Sequence, residues 1–235
     1  MDAMQLFGKM HLQYGPQYWW PVTEKGEAKP SYKKRSSLSQ SQKLEIAIGA
    51  ILAQNTNWKN VMKAIENLNN AKMLECKKLA DSRERKIASL IKPSGYFNQK
   101  AKRLRLFCRH LQKNYSGRIQ TLFKKPVLEL REELLSLHGI GEETADDIIL
   151  YAAQKPVFVV DAYTLRLCQR LFGIEKADYS LVQDFFHKNL TKNTGLFSEF
   201  HALIVEHCKQ YCRKKPECEK CFLNDNCLFL KGLKD

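Results

Sequence analysis

Four cysteines near the C-terminal end stand at spacings that could ligate a metal: Cys212, Cys218, Cys221 and Cys227, separated by five, two and five residues. Four soft thiolates in one short loop suit a four-sulfur site, and sulfur ligation alone permits zinc or a [4Fe–4S] cluster. Cys208, four residues before Cys212, is an alternative first ligand or a helix-packing residue. A second candidate is Asp161, which closes the apolar run Val157-Phe158-Val159-Val160. An ionised carboxylate there could stabilise positive charge in a transition state or orient a water; it could equally cap a helix beginning at Ala162. The third is Leu137-His138-Gly139-Ile140-Gly141-Glu142-Glu143-Thr144-Ala145, a turn with glycines two apart between two helical periods. This is a helix-hairpin-helix pattern, whose turn N–H groups at Gly139, Ile140 and Gly141 can bind a phosphate oxygen and position DNA without reading its sequence. An ordinary αα-hairpin would carry the same Gly-x-Gly.

The elements that must position these residues read as helices. Apolar residues recur at three and four positions in Leu44, Ala47, Ile48, Ile51, Leu52 and in Val61, Ala64, Ile65, Leu68. Ser39 with Gln42 has capping-box spacing, and Pro126 precedes another apolar period. Further helical periods run through 101–111, 142–152, 162–172, 181–190 and 196–210. Strand alternation is almost absent, so 157–160 is expected to be a buried extended connector, and the basic, serine-rich stretch 29–41 a mobile solvated loop. The basic stretch from Lys100 to Lys113 is either a solvated helix face or part of a DNA surface.

Composition bounds the class. A chain of 235 residues with 44% hydrophobic content can bury a core. No run approaches the length of a membrane span and no secretory leader is evident, which predicts a cytoplasmic protein and crowded cysteines that bind metal rather than form disulfides. The formal charge of +14 points to a polyanionic partner, nucleic acid foremost.

With these residues in view, the chain resembles the endonuclease III superfamily of DNA glycosylases, whose hairpin is followed by a segment ending in a catalytic Asp, here Pro156-Val157-Phe158-Val159-Val160-Asp161. It is most similar to the 3-methyladenine DNA glycosylase III branch through Trp19-Trp20-Pro21, Gln54-Asn55-Thr56, the segment Pro93 to Leu104, and Gly139-Ile140-Gly141. The resemblance implies an all-α, two-lobe fold: a central helical barrel over 41–153 ending in the hairpin, and a second lobe from 1–40 plus 154–235 with a cluster loop at 208–227. Damaged double-stranded DNA would lie across the cleft, bound by a monomer.

The resemblance also implies roles. Asp161 would assist base loss. Bifunctional relatives carry a hairpin lysine that attacks the sugar; Glu143 stands there, and a carboxylate cannot form an imine, so the expected chemistry is monofunctional excision by water. Gly139, Ile140, Gly141 and Thr144 would hold the backbone, and Gln54 would fill the gap left by the extruded base. Trp19, Trp20, Pro21 and Trp58 would form the base pocket, their ring faces suited to a cationic alkylated purine. The alternative for these tryptophans is a place in the core. Lys209 aligns with a pocket lysine or is a solvated charge, and a second pocket lysine of the branch is replaced by Leu203. The cluster loop of the wider family has six, two and five intervening residues; the first interval is one shorter here, which leaves Cys212, Cys218, Cys221 and Cys227 as ligands of a [4Fe–4S] cluster in preference to zinc. A bifunctional pyrimidine glycosylase and a catalytically silent DNA-structure-binding protein are the competing functions.

Overall fold

The computed structural model describes residues 1–232. Its helices, in order, are α1 (Ala3–Tyr14), α2 (Gln40–Ala53), α3 (Trp58–Asn70), α4 (Cys76–Asp81), α5 (Glu84–Leu90), α6 (Phe97–Tyr115), α7 (Ile119–Leu122), α8 (Val127–Leu135), α9 (Glu142–Asp147), α10 (Ala162–Phe172), α11 (Tyr179–Asn189), α12 (Thr194–Gln210) and α13 (Leu228–Lys231). Two-residue strands β1 (Val22–Thr23) and β2 (Pro30–Ser31) form a small antiparallel ladder. No helix among the described residues is long and apolar enough to cross a membrane. The chain divides into two compact units, one of residues 20–155 and one of residues 1–19 with 156–235.

The unit of residues 20–155 is built on α2. Ser39 and Gln42 make the reciprocal capping box, with Gln42 N–H donating to Ser39 Oγ at 3.2 Å and Ser39 N–H to Gln42 Oε1 at 3.0 Å. Every residue from Leu44 to Leu52 is buried, as a central helix surrounded on all faces requires. Residues 20–40 belong to this unit rather than to the other, because Thr23 donates through N–H and Oγ1 to Glu45 on α2, at 2.8 and 2.9 Å. The stretch 29–41 is largely exposed, as its composition suggests, but it is anchored: Pro30 is buried, and Arg35 donates to Glu24 and to the carbonyls of Val22, Ser31 and Lys33. One guanidinium with several acceptors orders a segment that has no apolar period.

The basic stretch of α6 divides into different tasks. Lys100 is buried, with Nζ donating to the carbonyls of Leu52 (2.9 Å) and Ser94 (2.7 Å). Arg105 pairs with Glu84, and Arg109 donates to Ala80 O. The expected helix over 142–152 changes character part-way: α9 passes into a wider π-helical turn at Ile148–Ala152, all of it buried. Such turns insert an extra residue and redirect the side chains beyond them.

In the other unit, residues 157–160 are buried and lie outside any helix or strand, as expected of a connector. A buried segment must find partners for its backbone, and it finds them in side chains of α11. Phe158 N–H donates to His187 Nε2 (2.9 Å), and Gln183 donates to Phe158 O (2.7 Å). Phe158 also stacks on Phe186 with centroids 3.9 Å apart. The run leading into Asp161 is thereby clamped.

Candidate active site

Asp161 is the N-cap of α10: Oδ1 accepts from Thr164 N–H (2.7 Å) and Thr164 Oγ1 (2.9 Å). The capping role is therefore real, and it occupies one carboxylate oxygen. The other, Oδ2, lies 3.6 Å from Nε2 of His201 on α12, and the two side chains are only 12% and 8% exposed. Burial by itself would push the carboxyl up; the facing imidazole and the Thr164 donors outweigh it and hold the group below its ordinary range. The outcome is a largely buried carboxylate held in its charged form.

The glycine turn lies in the other unit. Gly139 adopts φ +82°, and a Cβ there would come within 2.3 to 2.8 Å of Arg103 side-chain atoms. Only glycine permits both the left-handed backbone and the arginine laid across it. Ile140 is buried as the apolar anchor of the turn, Gly141 is exposed, and Thr144 is buried in the first turn of α9. Glu143 is exposed. Gln54, the C-cap of α2, donates through Nε2 to Gly139 O and Thr144 Oγ1, both at 2.9 Å, and its Oε1 accepts from Arg103. Gln54 is thus docked against the hairpin rather than extended as a free finger.

Trp20 is buried, edge-on to Trp58 at a centroid distance of 5.0 Å and tilted against Tyr151 at 5.2 Å. Its indole lies so close to α2 that a Cβ on Gly49 would meet it at 3.2 Å. Pro21 is buried beside it in sequence. Trp19 is half-buried and belongs with the other unit. Trp20, Trp58 and Tyr151 form one aromatic group. Tyr151 sits on the π-helical turn, which sequence periodicity treats as ordinary helix. Lys209 is exposed on the last turn of α12, whereas Leu203 is buried.

Cys212, Cys218, Cys221 and Cys227 all line one pocket, with Leu167, Leu171 and Phe229 among its apolar walls. All are free thiols. Cys208 lies outside that lining, buried on α12 with Sγ toward Tyr163 O at 3.6 Å. Arg170 NH1 lies 3.6 Å from Cys212 Sγ, a cation placed to offset thiolate charge. Four thiols around an apolar pocket with an adjacent guanidinium fit a four-sulfur group. Among the described residues no three His, Cys, Asp or Glu side chains gather closely enough to hold a single ion. The loop is bolted to α10: Arg166 Nε donates to Cys212 O (2.8 Å), and Arg170 donates to Arg213 O (2.6 Å) and Lys214 O (3.1 Å).

Residues 48–192 match the model of the HhH-GPD superfamily base excision DNA repair proteins. The chain belongs to that superfamily. It is 44% identical over 218 residues, 92% of this chain and 90% of the other, to a Methanocaldococcus jannaschii protein named "Putative DNA repair glycosylase MJ1434". The structure of the H. pylori 3-methyladenine DNA glycosylase MagIII bound to 1,N6-ethenoadenine matches with TM-score 0.72 and 32% identity, covering 89% of this chain and 98% of that one. An endonuclease III–DNA complex matches in fold, with TM-score 0.75 at 19% identity, over 98% and 96% of the two chains. This HhH-GPD protein is a DNA glycosylase. Several residues of the candidate site had no signal in spacing: Arg103 lay among other basic residues, and His201, Thr164 and Tyr151 are single residues within helical periods.

Proposed function

We propose that the protein is a monofunctional DNA glycosylase that hydrolyses the N-glycosidic bond of an extruded alkylated purine such as 3-methyladenine, leaving an abasic site in double-stranded DNA. The observation that carries this reading is the buried, ionised Asp161 with one oxygen tied to its own helix. As the base departs, positive charge grows on the deoxyribose. A fixed anion in a largely buried site stabilises that charge far better than one in bulk water, and it can orient the attacking water.

Other residues support the same chemistry. Glu143 occupies the hairpin position where bifunctional relatives have their amine, so the chain offers no nucleophile there for an imine. The Ile140 N–H is spent inside the turn on Leu137 O (3.1 Å), so the N–H groups offered to a phosphate would be those of Gly139 and Gly141, and the docked Gln54 is within reach of the same turn to fill the vacated stack. Trp20, Trp58 and Tyr151 offer ring faces that attract a cationic base. A cationic base leaves readily, so stacking can select it without a strong general acid. Cys212, Cys218, Cys221 and Cys227 would hold a [4Fe–4S] cluster, which when bound staples the loop and orders its lysines and arginines toward DNA phosphate. The MagIII match at 32% identity supports the alkylated-purine preference.

The test is mass-spectrometric identification of bases freed from methylated, oxidised and deaminated duplexes, with borohydride trapping in parallel. Release dominated by 3-methyladenine, absent in Asp161→Asn and without a covalent adduct, is expected. A trapped adduct with nicking at thymine glycol would replace this reading with the bifunctional one. Duplex binding without release of any base would leave a silent DNA-structure binder.

A further inference from the structure

Asp161 is approached from two directions, and only one of them is explained by the helix it caps. Thr164 gives both of its donors to Oδ1, as an N-cap requires. His201 is forty residues away on another helix and addresses the other oxygen. It stands in an otherwise apolar buried stretch of α12, Phe200 to Ile204, where an imidazole is expensive to bury without a partner. A core position there asks for leucine or phenylalanine, so a polar ring aimed at Oδ2 calls for a reason.

We infer that His201 is a positioning residue for the Asp161 carboxylate. This rests on the reading of Asp161 as the anion beside the deoxyribose. Both Thr164 donors fall on Oδ1, so Oδ2 takes no part in the cap and faces His201 instead. A carboxylate withdrawn from water tends to take up a proton, and a neutral acid gives no charge stabilisation to an electron-poor sugar. An Nε2–H facing Oδ2 at ion-pair distance opposes that protonation and stops the carboxylate rotating about its Cβ–Cγ bond. His201 neither gives nor takes a proton in the reaction; it keeps the anion charged and aimed.

The test uses holoprotein and methylated duplex DNA under single-turnover conditions, with affinity for an abasic-site duplex and the thermal midpoint measured beside it. His201→Phe keeps an aromatic ring and removes the donor; His201→Gln keeps a donor near the position of Nε2; His201→Asn withdraws it by about one methylene. His201→Phe should lower the excision rate constant about 10- to 100-fold, the range set by losing one hydrogen-bond-like contact to a charged group. Affinity for the abasic duplex should stay within about threefold, because the lost contact acts on the reacting charge rather than on ground-state binding. His201→Gln should recover most of the rate and His201→Asn little of it. Should His201→Phe fail to fold, the Gln and Asn pair decides.

Equal rates for His201→Gln and His201→Asn, or a His201→Phe rate within threefold of wild type, would overturn the inference if Asp161→Asn is inactive, and Asp161 would keep its role. Excision at the wild-type rate by Asp161→Asn would overturn the Asp161 reading itself, and this inference with it.

Discussion

Replacing Lys100 by Met should produce a stability loss that grows with pH, although neither side chain touches solvent. Lys100 is 1% exposed and faces no carboxylate; its Nζ donates to the carbonyls of Leu52 and Ser94, at 2.9 and 2.7 Å. The Leu52 carbonyl lies in the last turn of α2, where the helix dipole favours a cation. Burial, with a smaller contribution from Arg103, still brings the ammonium down from 10.5 to about 8. That displacement corresponds to about 3 kcal/mol of penalty on the charged form in the fold. Between pH 8 and 10.5 the unfolded chain keeps a proton that the native one has released, so this group makes wild type more stable as pH rises; below pH 8 the penalty is constant.

Met removes the penalty and both donors. Each buried carbonyl left without its donor costs about 1–3 kcal/mol, so near pH 7 loss and relief largely offset each other. By pH 10.5 only the loss remains, and the wild-type minus variant difference should have grown by about 3 kcal/mol. Urea titrations of both proteins, followed by tryptophan fluorescence from pH 7 to 10.5, measure that difference, in which the titration of other groups cancels. A difference that stays flat with pH would refute the assignment of the depressed group to Lys100. The same variant should weaken lesion-duplex binding, because it frees the α2 end that carries Gln54.

Three further outcomes follow from the geometry. Gly139→Ala should cost at least about 2 kcal/mol in a thermal or urea melt, from left-handed strain plus the Arg103 clash, and should weaken binding even to undamaged duplex. Cys212→Ser should abolish iron retention while Cys208→Ser keeps it, read as iron and sulfide per chain; zinc in place of iron in anaerobically prepared protein would reverse the cluster assignment. Gln54→Ala should slow excision by removing the gap-filling amide and also destabilise the fold by about 1–3 kcal/mol, since it breaks the bonds to Gly139, Thr144 and Arg103; an unchanged melting midpoint would show that the docked amide contributes nothing to the resting fold.

Much of this was legible in order along the chain. The Ser39–Gln42 capping box, the apolar period of α2, the Gly-x-Gly turn, the apolar run into Asp161 and the cysteine spacing are local patterns, and local patterns follow from backbone sterics and periodicity alone. They determined that the chain is helical and where its turns fall; that the hairpin is of a phosphate-binding kind, and that Glu143 stands where relatives carry an amine, came from the family resemblance those residues carry.

Tertiary structure decided what long-range packing controls. Trp19 and Trp20 are adjacent in sequence yet divide between the two units, because a bond to Glu45 and a side-chain-free Gly49 draw the segment after Trp19 onto α2. One basic stretch of α6 became a buried strut at Lys100, a brace at Arg103 and a surface pair at Arg105, distinctions set by which face each residue turned to its neighbours. His201 is a single polar residue in an apolar period, and nothing in the primary sequence relates it to Asp161. The two meet because α10 and α12 pack together, and burial turns a pair of unremarkable side chains into an electrostatically coupled one.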